Sequence, residues 1–311
     1  MDRATVLIAF DGSEEAAGAV RAAAALFPAA AAVVVHVRTL PLTDEGAALA
    51  RAALPDDVIH TAVARYEALA AQDAAAIAER GTALARDAGL AAEPAVHAAA
   101  APWRGLLAAA AEHAADVLVC GTRGQGATAR AVTGSTSSSL HYHAPLPVLA
   151  VPVGADPGDG PALIGYDGSD GAQAAIAAVA RLLPGRAAVV AHAWTSPVRR
   201  TFAGESLLDA PLDEIQAVAR DLDALFEGDA EELAEAGAAL AREHGLEARS
   251  VAPQAGGADW HGLVAAAASE RAALIAVGSR GRGALAATVL GSVSAGLVHN
   301  ADLPVLVIPG A

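Results

Sequence analysis

The amino-acid sequence predicts two tandem α/β domains, each a doubly wound, five-stranded parallel sheet with helices on both faces. Three observations carry this. Short continuous apolar runs alternate with longer stretches of helical periodicity, the pattern of strands buried on both sides. The series of runs occurs twice in 311 residues, a length for roughly two domains of ~150 residues. A glycine-rich segment also recurs at the equivalent place in each half. It reads Gly121-Thr-Arg-Gly124 with Gly134-Ser135, then Gly278-Ser-Arg-Gly281 with Gly291-Ser292, the copies 157 residues apart.

The first half places strands near 5–10, 32–38, 91–97, 116–121 and 147–152. The second places them near 162–166, 187–194, 247–252, 273–278 and 304–308. Val6-Leu-Ile-Ala-Phe-Asp11-Gly12-Ser13 corresponds to Ala162-Leu-Ile-Gly-Tyr-Asp167-Gly168-Ser169, and Val34-Val35-His36 to Val190-Ala191-His192. Trp103-Arg-Gly105-Leu106 corresponds to Trp260-His-Gly262-Leu263. Leu146-Pro-Val-Leu-Ala-Val-Pro152 and Leu303-Pro-Val-Leu-Val-Ile-Pro309 close the halves. The helix near 14–27 has Ser13 as N-cap and Glu14 and Glu15 in its first turn, where the helix dipole favours them. The stretches 57–89 and 212–244 read as the second helix of each unit, each ending near a glycine (Gly89, Gly245) suited to a left-handed C-cap. Gly154 to Pro161 is rich in Gly, Asp and Pro and reads as a linker. The expected domains are therefore 1–153 and 162–311, with a linker at 154–161.

Composition excludes several classes of function. No apolar run reaches the ~18–20 residues of a membrane span, and Met1-Asp2-Arg3 leads into a strand without signal-peptide anatomy. Cys120 is the single cysteine, so no intrachain disulfide forms and a reducing, cytoplasmic setting is expected. A net charge of −15 argues against a nucleic-acid partner, whose phosphates demand clustered basic groups. All 20 basic residues are arginine. The absence of lysine removes a Walker A loop and Schiff-base or pyridoxal chemistry.

The glycine segment follows the fourth strand, where an open parallel sheet gathers ligands at its carboxyl edge. Gly121 and Gly124, like Gly278 and Gly281, let backbone N–H groups approach an anion closely. Gly134-Ser135 and Gly291-Ser292 then open helices whose free N–H groups and dipole attract phosphate, and Ser137 and Ser294 add hydroxyls. Asp11 and Asp167, at the ends of the first strands, suit ribose hydroxyls better than phosphate. Asp-Gly-Ser equally makes a turn and a helix cap with no ligand. Gly124-Gln-Gly126-Ala-Thr-Ala129 and Gly281-Arg-Gly283-Ala-Leu-Ala286 fit the dinucleotide fingerprint. That fingerprint belongs after the first strand, with an acidic residue ~20 positions on, so a dehydrogenase is disfavoured.

With these motifs together, the chain resembles the universal stress protein family in its tandem, ATP-binding form. The likeness spans the Asp-Gly-Ser strand ends, both Gly-x-x-Gly-x9-Gly-Ser segments and the closing strands. It implies a Rossmann-like α/β sandwich with strand order 3-2-1-4-5. It also implies ATP as ligand, with Mg2+ as its companion cation, and leaves another adenine nucleotide such as cyclic AMP open. By resemblance Asp11 and Asp167 lie at the ribose. Gly121, Gly124, Gly134, Ser135 and Ser137, with Gly278, Gly281, Gly291, Ser292 and Ser294, lie at the phosphates. Backbone near Val35 and Val190 edges the adenine. Thr122 and Thr136 depart from the family pattern, so the second half fits better. Pairing through the fifth strands would join the halves as an intramolecular pseudodimer, with a further homodimer left open.

The remaining residues favour plain readings. His141 and His143, two apart on a helix, diverge too far to share a metal, and no metal set is read from the sequence. His36 and His192 read as packed or hydrogen-bonded strand-end residues rather than catalytic bases, Trp103 and Trp260 as packing anchors, and Cys120 as a small buried residue. Arg123 and Arg280 divide evenly between phosphate and solvent. No acidic residue lies in 121–139 or 278–301 to orient a water at a terminal phosphate. A nucleotide-binding stress or signalling module is therefore expected ahead of a slow ATPase or a phosphate- or adenylate-transferring enzyme. A receiver phosphorylated on Asp11 is set aside for want of a lysine.

Overall fold

The structure, a computed structural model, describes residues 3–39, 56–122, 134–196, 212–281 and 290–310. Arg123, Gly124 and the first dinucleotide-like segment, with Gly283 and Ala286 of the second, lie outside the described residues. The chain forms two compact units, residues 1–140 with 151–154, and residues 141–150 with 155–311.

In the first unit, β1 (Thr5–Ala9), β2 (Ala31–Thr39), β3 (Ala91–Ala99) and β4 (Val117–Gly121) are the expected strands within two residues at each end. β1 pairs parallel with β2 and with β4, and β2 pairs parallel with β3. Beyond β4, the Thr122 N–H donates to Val151 O of β5 (Val148–Val151) at 3.0 Å, giving the order β3-β2-β1-β4-β5. α1 (Glu14–Leu26) is capped by Ser13 Oγ, which accepts from Ala16 N at 3.1 Å. The other helices are α2 (Asp56–Asp87), α3 (Pro102–Glu112) and α4 (Ser135–His143).

The second unit repeats this with β6 (Ala162–Gly165), α5 (Asp170–Leu182), β7 (Ala188–Ala191), α6 (Leu212–Glu243), β8 (Ala248–Val251), α7 (Asp259–Ser269), β9 (Leu274–Gly278), α8 (Ser292–Asn300) and β10 (Val305–Ile308). Its order, β8-β7-β6-β9-β10, is the expected 3-2-1-4-5. Residues Val148–Ala150 belong to this unit because they pair antiparallel with β10, Leu149 opposite Leu306. Parallel strands with both faces covered need apolar residues throughout, and all four positions of β7 and of β10 are buried.

Alternation along each strand divides the core into two layers. Leu163, Val189, Ile275, Val277, Val305 and Val307 face α7 and α8, meeting Leu263, Ala266, Ala267 and Leu297. On the other face, the Tyr166 ring and Val190 meet the long helix α6 at Gly237. Phe10 and Val34 meet α2 at Gly81 in the same way. Both long helices stop as the sequence predicts. Gly89 (φ 96°) and Gly245 (φ 85°) turn left-handed, while Leu90 N donates to Ala85 O and Leu246 N to Ala241 O, at 2.9 and 3.0 Å. This is the double-bonded glycine terminus that satisfies a helix's last carbonyls.

Two glycines of α6 should respond oppositely to alanine. A Cβ on Gly237 would stand 2.6 Å from the Tyr166 ring and 2.8 Å from Val190, whereas one on Gly228 meets nothing within 4 Å. Gly237→Ala is expected to lower stability by about 1–3 kcal/mol through overpacking. Gly228→Ala should raise it by about 0.5–1 kcal/mol through lost unfolded-chain entropy. Urea midpoints of the two variants check both signs.

Candidate functional site

In the second unit β6 lies between β7 and β9, with Leu163 opposite Ile275 and Ile164 opposite Ala276. The chain winds outward in one direction from β6 and in the other from β9, so the loops at their carboxyl ends diverge and leave a crevice. A cavity of about 600 Å³ occupies it, lined among others by Asp167, His192, Arg280, Gly281, Gly291 and Ser292.

Asp167 forms one wall. Its Oδ1 accepts from Ser169 N at 3.0 Å and from Ser169 Oγ at 2.5 Å, while Ser169 Oγ caps α5 by accepting from Ala172 N at 3.3 Å. Gly168 between them is left-handed, φ 79°, a conformation that a side chain disfavours. The turn-and-cap reading of Asp-Gly-Ser is thus correct for one carboxylate oxygen. The other faces the glycine segment, since a Cβ on Gly281 would stand 2.6 Å from Asp167 Oδ2. The first-strand aspartate and the fourth-strand glycine loop, far apart in sequence, meet here.

The glycines of that segment serve different ends. Gly278 lets β9 touch α5, because a Cβ there would lie 2.6–2.9 Å from the backbone of Gly171. Gly281 keeps the Asp167 carboxylate uncovered. Gly291 N donates to Ser279 O at 2.8 Å, and Gly134 N to Thr122 O at 2.7 Å in the first unit. Each pins the stem of the intervening loop, so these two N–H groups are not phosphate donors.

The phosphate-binding potential resides one residue later. No side chain caps the Gly291 end of α8, and Ser292, Val293 and Ser294 of its first turn all line the cavity. The first N–H groups of a helix lack intrahelical acceptors and carry its positive dipole end. The Ser292 hydroxyl is exposed beside them, as is Ser135 at the start of α4. Ser294 corrects the expectation of a free hydroxyl donor. Ser294, 3% exposed, donates to Gly278 O at 2.7 Å and so braces α8 against β9. Ser137, equally buried, accepts from Cys120 Sγ at 3.7 Å. Burial pushes the Cys120 thiol up to about 11 despite this hydrogen bond, so it is protonated at neutral pH, as a structural cysteine should be.

Arg280 lines the cavity with its guanidinium against the backbone of Gly310. At Val190 the side chain and the neighbouring backbone part ways. The side chain is fully buried and directed at α6, while Ala191, His192 and Ala193 line the cavity. Val35 and Ala191 are the equivalent pair, their carbonyls accepting from Phe10 N and Tyr166 N, both at 2.9 Å. His192 lines the cavity and is hydrogen-bonded as the sequence predicts, its Nδ1 donating to Tyr166 O at 2.7 Å. His36 does the same to Phe10 O at 2.9 Å. Their recurrence between halves was the available signal. Asp259 and Gly171 were not singled out at all. In the first unit Asp11 Oδ1 accepts from Ser13 N at 3.0 Å, and Gly121, Gly134 and Ser135 hold the equivalent places. Gly124 is outside the described residues.

Among the described residues no helix is long and apolar enough to cross a membrane. The sequence profile of the universal stress protein family matches residues 3–152 and again 160–309. A universal stress protein of Mycobacterium tuberculosis is 32% identical over 199 residues, 62% of this chain and 61% of that protein. A second from that species is 34% identical over 200 residues, 61% of this chain and 58% of its own. The aligned part thus spans about 60% of these relatives' lengths. A universal stress protein structure from Archaeoglobus fulgidus superposes with a TM-score of 0.64 at 18% identity, covering 99% of this chain and 98% of its own. With both halves matched and the fold shared throughout, the chain belongs to the universal stress protein family, as two copies of its domain in tandem.

Proposed function

We propose that this chain binds an adenine nucleotide, ATP with Mg2+, at the carboxyl edge of each repeat, and acts as a nucleotide-dependent stress-response or signalling module in the cytoplasm. One observation carries the reading. In a single cavity, Asp167 is set against Gly281 while the uncapped start of α8 at Gly291-Ser292 opens on the same space. A carboxylate and an anion-binding helix end within one crevice suit a ligand with a hydroxyl-rich sugar and a phosphate chain. Arg280 adds a permanent positive charge on the phosphate side. In the first repeat Asp11, Gly121, Gly134 and Ser135 supply the matching groups.

The same reading has two domains, 1–153 and 162–311, joined by 154–161 and paired as an intramolecular pseudodimer. Binding is favoured over turnover because no carboxylate lies in the glycine segments 121–139 and 278–301 to orient an attacking water.

Mass spectrometry of nucleotide carried through purification, followed by equilibrium titration with ATP, tests this. Two equivalents per chain are expected, the second repeat tighter. Asp167→Asn should weaken that tighter site about tenfold, the scale of one charge-assisted bond to ribose. One equivalent would remove the first site, and none at millimolar ATP would remove the reading.

A further inference from the structure

In the first unit, away from the nucleotide crevice, the edge strand β3 and the end of α3 bring two imidazoles and two carboxylates together. Glu93 and His97, four apart on β3, share one face of the strand. Glu112 ends α3 and His113 is its C-cap. One ligand atom each from His97, Glu112 and His113 lies within 4.8 Å of the others. Glu93 Oε1 stands 3.8 Å from His113 Nδ1, and Glu112 Oε2 stands 3.7 Å from His97 Nε2.

We propose that His97, Glu112 and His113 form a binding site for a divalent transition metal of the zinc class, with Glu93 as a second carboxylate at its rim. Four features point to it. The nitrogen–oxygen separations of 3.7 and 3.8 Å are those of ion pairs and too long for hydrogen bonds, so each imidazole faces a carboxylate without a bond that fixes its ligand atom. Two imidazole nitrogens with a carboxylate oxygen are the donor set of three-ligand zinc sites, not of the all-oxygen sites of calcium or magnesium. The imidazoles are mostly covered, 18% and 25% exposed, whereas Glu112 is 67% exposed and open to solvent. Ligand atoms on tetrahedral zinc stand roughly 3.3 Å apart, and that exposed glutamate can swing to close the gap. The C-terminal end of α3 also presents the negative pole of its dipole, which favours a cation.

The duplication supplies an internal control. At the same places the second repeat has Ser250, Gln254, Ser269 and Glu270, and Glu270 pairs instead with Arg249. The fold therefore builds β3 and α3 without a His/Glu cluster, and the first repeat carries it for another reason. A bound metal would cross-link the edge strand to the helix end.

The test is titration of Zn2+ into chelator-treated, nucleotide-free full-length chain at neutral pH, read by calorimetry and by competition with a chromophoric chelator. One tight equivalent is expected, with proton release on binding. His97→Gln, which copies the second repeat, and His113→Gln should each weaken it at least about 100-fold, and Glu112→Gln about tenfold. Co2+ in place of zinc should give the intense visible bands of four-coordination. Thermal melts without metal should leave Glu112→Gln at the wild-type midpoint, which separates ligation from folding. Equal Zn2+ affinity in wild type and the His97→Gln/His113→Gln double variant, or a six-coordinate Co2+ spectrum, would overturn the proposal.

Discussion

Alanine at Gly278 will destabilise the second unit by about 3 kcal/mol or more, the upper range of overpacking, while alanine at Gly281 will leave stability nearly unchanged and weaken nucleotide binding. The two glycines belong to one four-residue motif, yet different neighbours surround them. The three atoms nearest a Cβ on Gly278 are all backbone, the Cα, C and O of Gly171 at 2.6–2.9 Å. Gly171 is equally confined, since its own Cβ would stand 2.7 Å from Arg280 O. No side chain can rotate aside, so α5 must retreat from β9, opening a packed interface where Ala172, Ala175 and Ile176 are buried. A Cβ on Gly281 meets Asp167 Oδ2 at 2.6 Å, the free end of a carboxylate that can pivot about the Oδ1 held by Ser169 N and Oγ. The carboxylate then leaves the position proposed for ribose, and affinity should fall about 10–100-fold, or roughly 1.4–2.8 kcal/mol. Urea midpoints and ATP titrations on both variants give a two-by-two outcome. A Gly278→Ala variant as stable as wild type would refute the packing argument.

This contrast marks where sequence reasoning stops. Strand positions, both glycine C-caps and the Ser13 cap were legible because each depends on local pattern: continuous apolar runs, a capping serine, a glycine after a periodic stretch. The 3-2-1-4-5 order is not local and rested on the family resemblance. The repeat supplied each element twice. The crevice was legible too, as the place where the Asp-Gly-Ser turn and the Gly-x-x-Gly segment had to meet. What each residue does there was not. Spacing cannot tell Ser292, exposed at the helix start, from Ser294, turned inward onto Gly278 O. One residue of strand register separates Ala191, on the cavity, from Val190, under α6, because alternate side chains face opposite sides. The His97–Glu112–His113 cluster was hidden for a third reason. Its members come from two elements whose approach is set by sheet packing, so no fixed interval announces them.

His141 gives the second large effect, a stability that falls between mildly acidic and strongly acidic pH. It lies on α4 at the place of Val298 on α8, 157 positions on, and like Val298 it is buried, 8% exposed. Neither ring nitrogen has a hydrogen-bond partner. Burial first, and the nearby charge of His299 second, lower its pKa from 6.5 to about 4. A histidine held neutral in the folded state takes up its proton far more readily when unfolded. The unfolded chain therefore binds the extra proton between about pH 6.5 and 4, and stability declines as pH falls through that window. Below about pH 4 the folded state is protonated as well and the decline from this group ends. The size of the shift corresponds to about 3 kcal/mol at most. His141→Val, copying the other repeat, should remove this slope. It should also gain about 1–3 kcal/mol at neutral pH by eliminating two unsatisfied buried nitrogens, less the cavity left by the smaller side chain. Denaturation of wild type and variant at several pH values isolates the group, because every other titrating residue is common to both. Parallel stability curves from neutral pH to pH 4 would show that His141 is solvated or bonded in solution, whereas curves that diverge on acidification would establish it as an unpaired buried base.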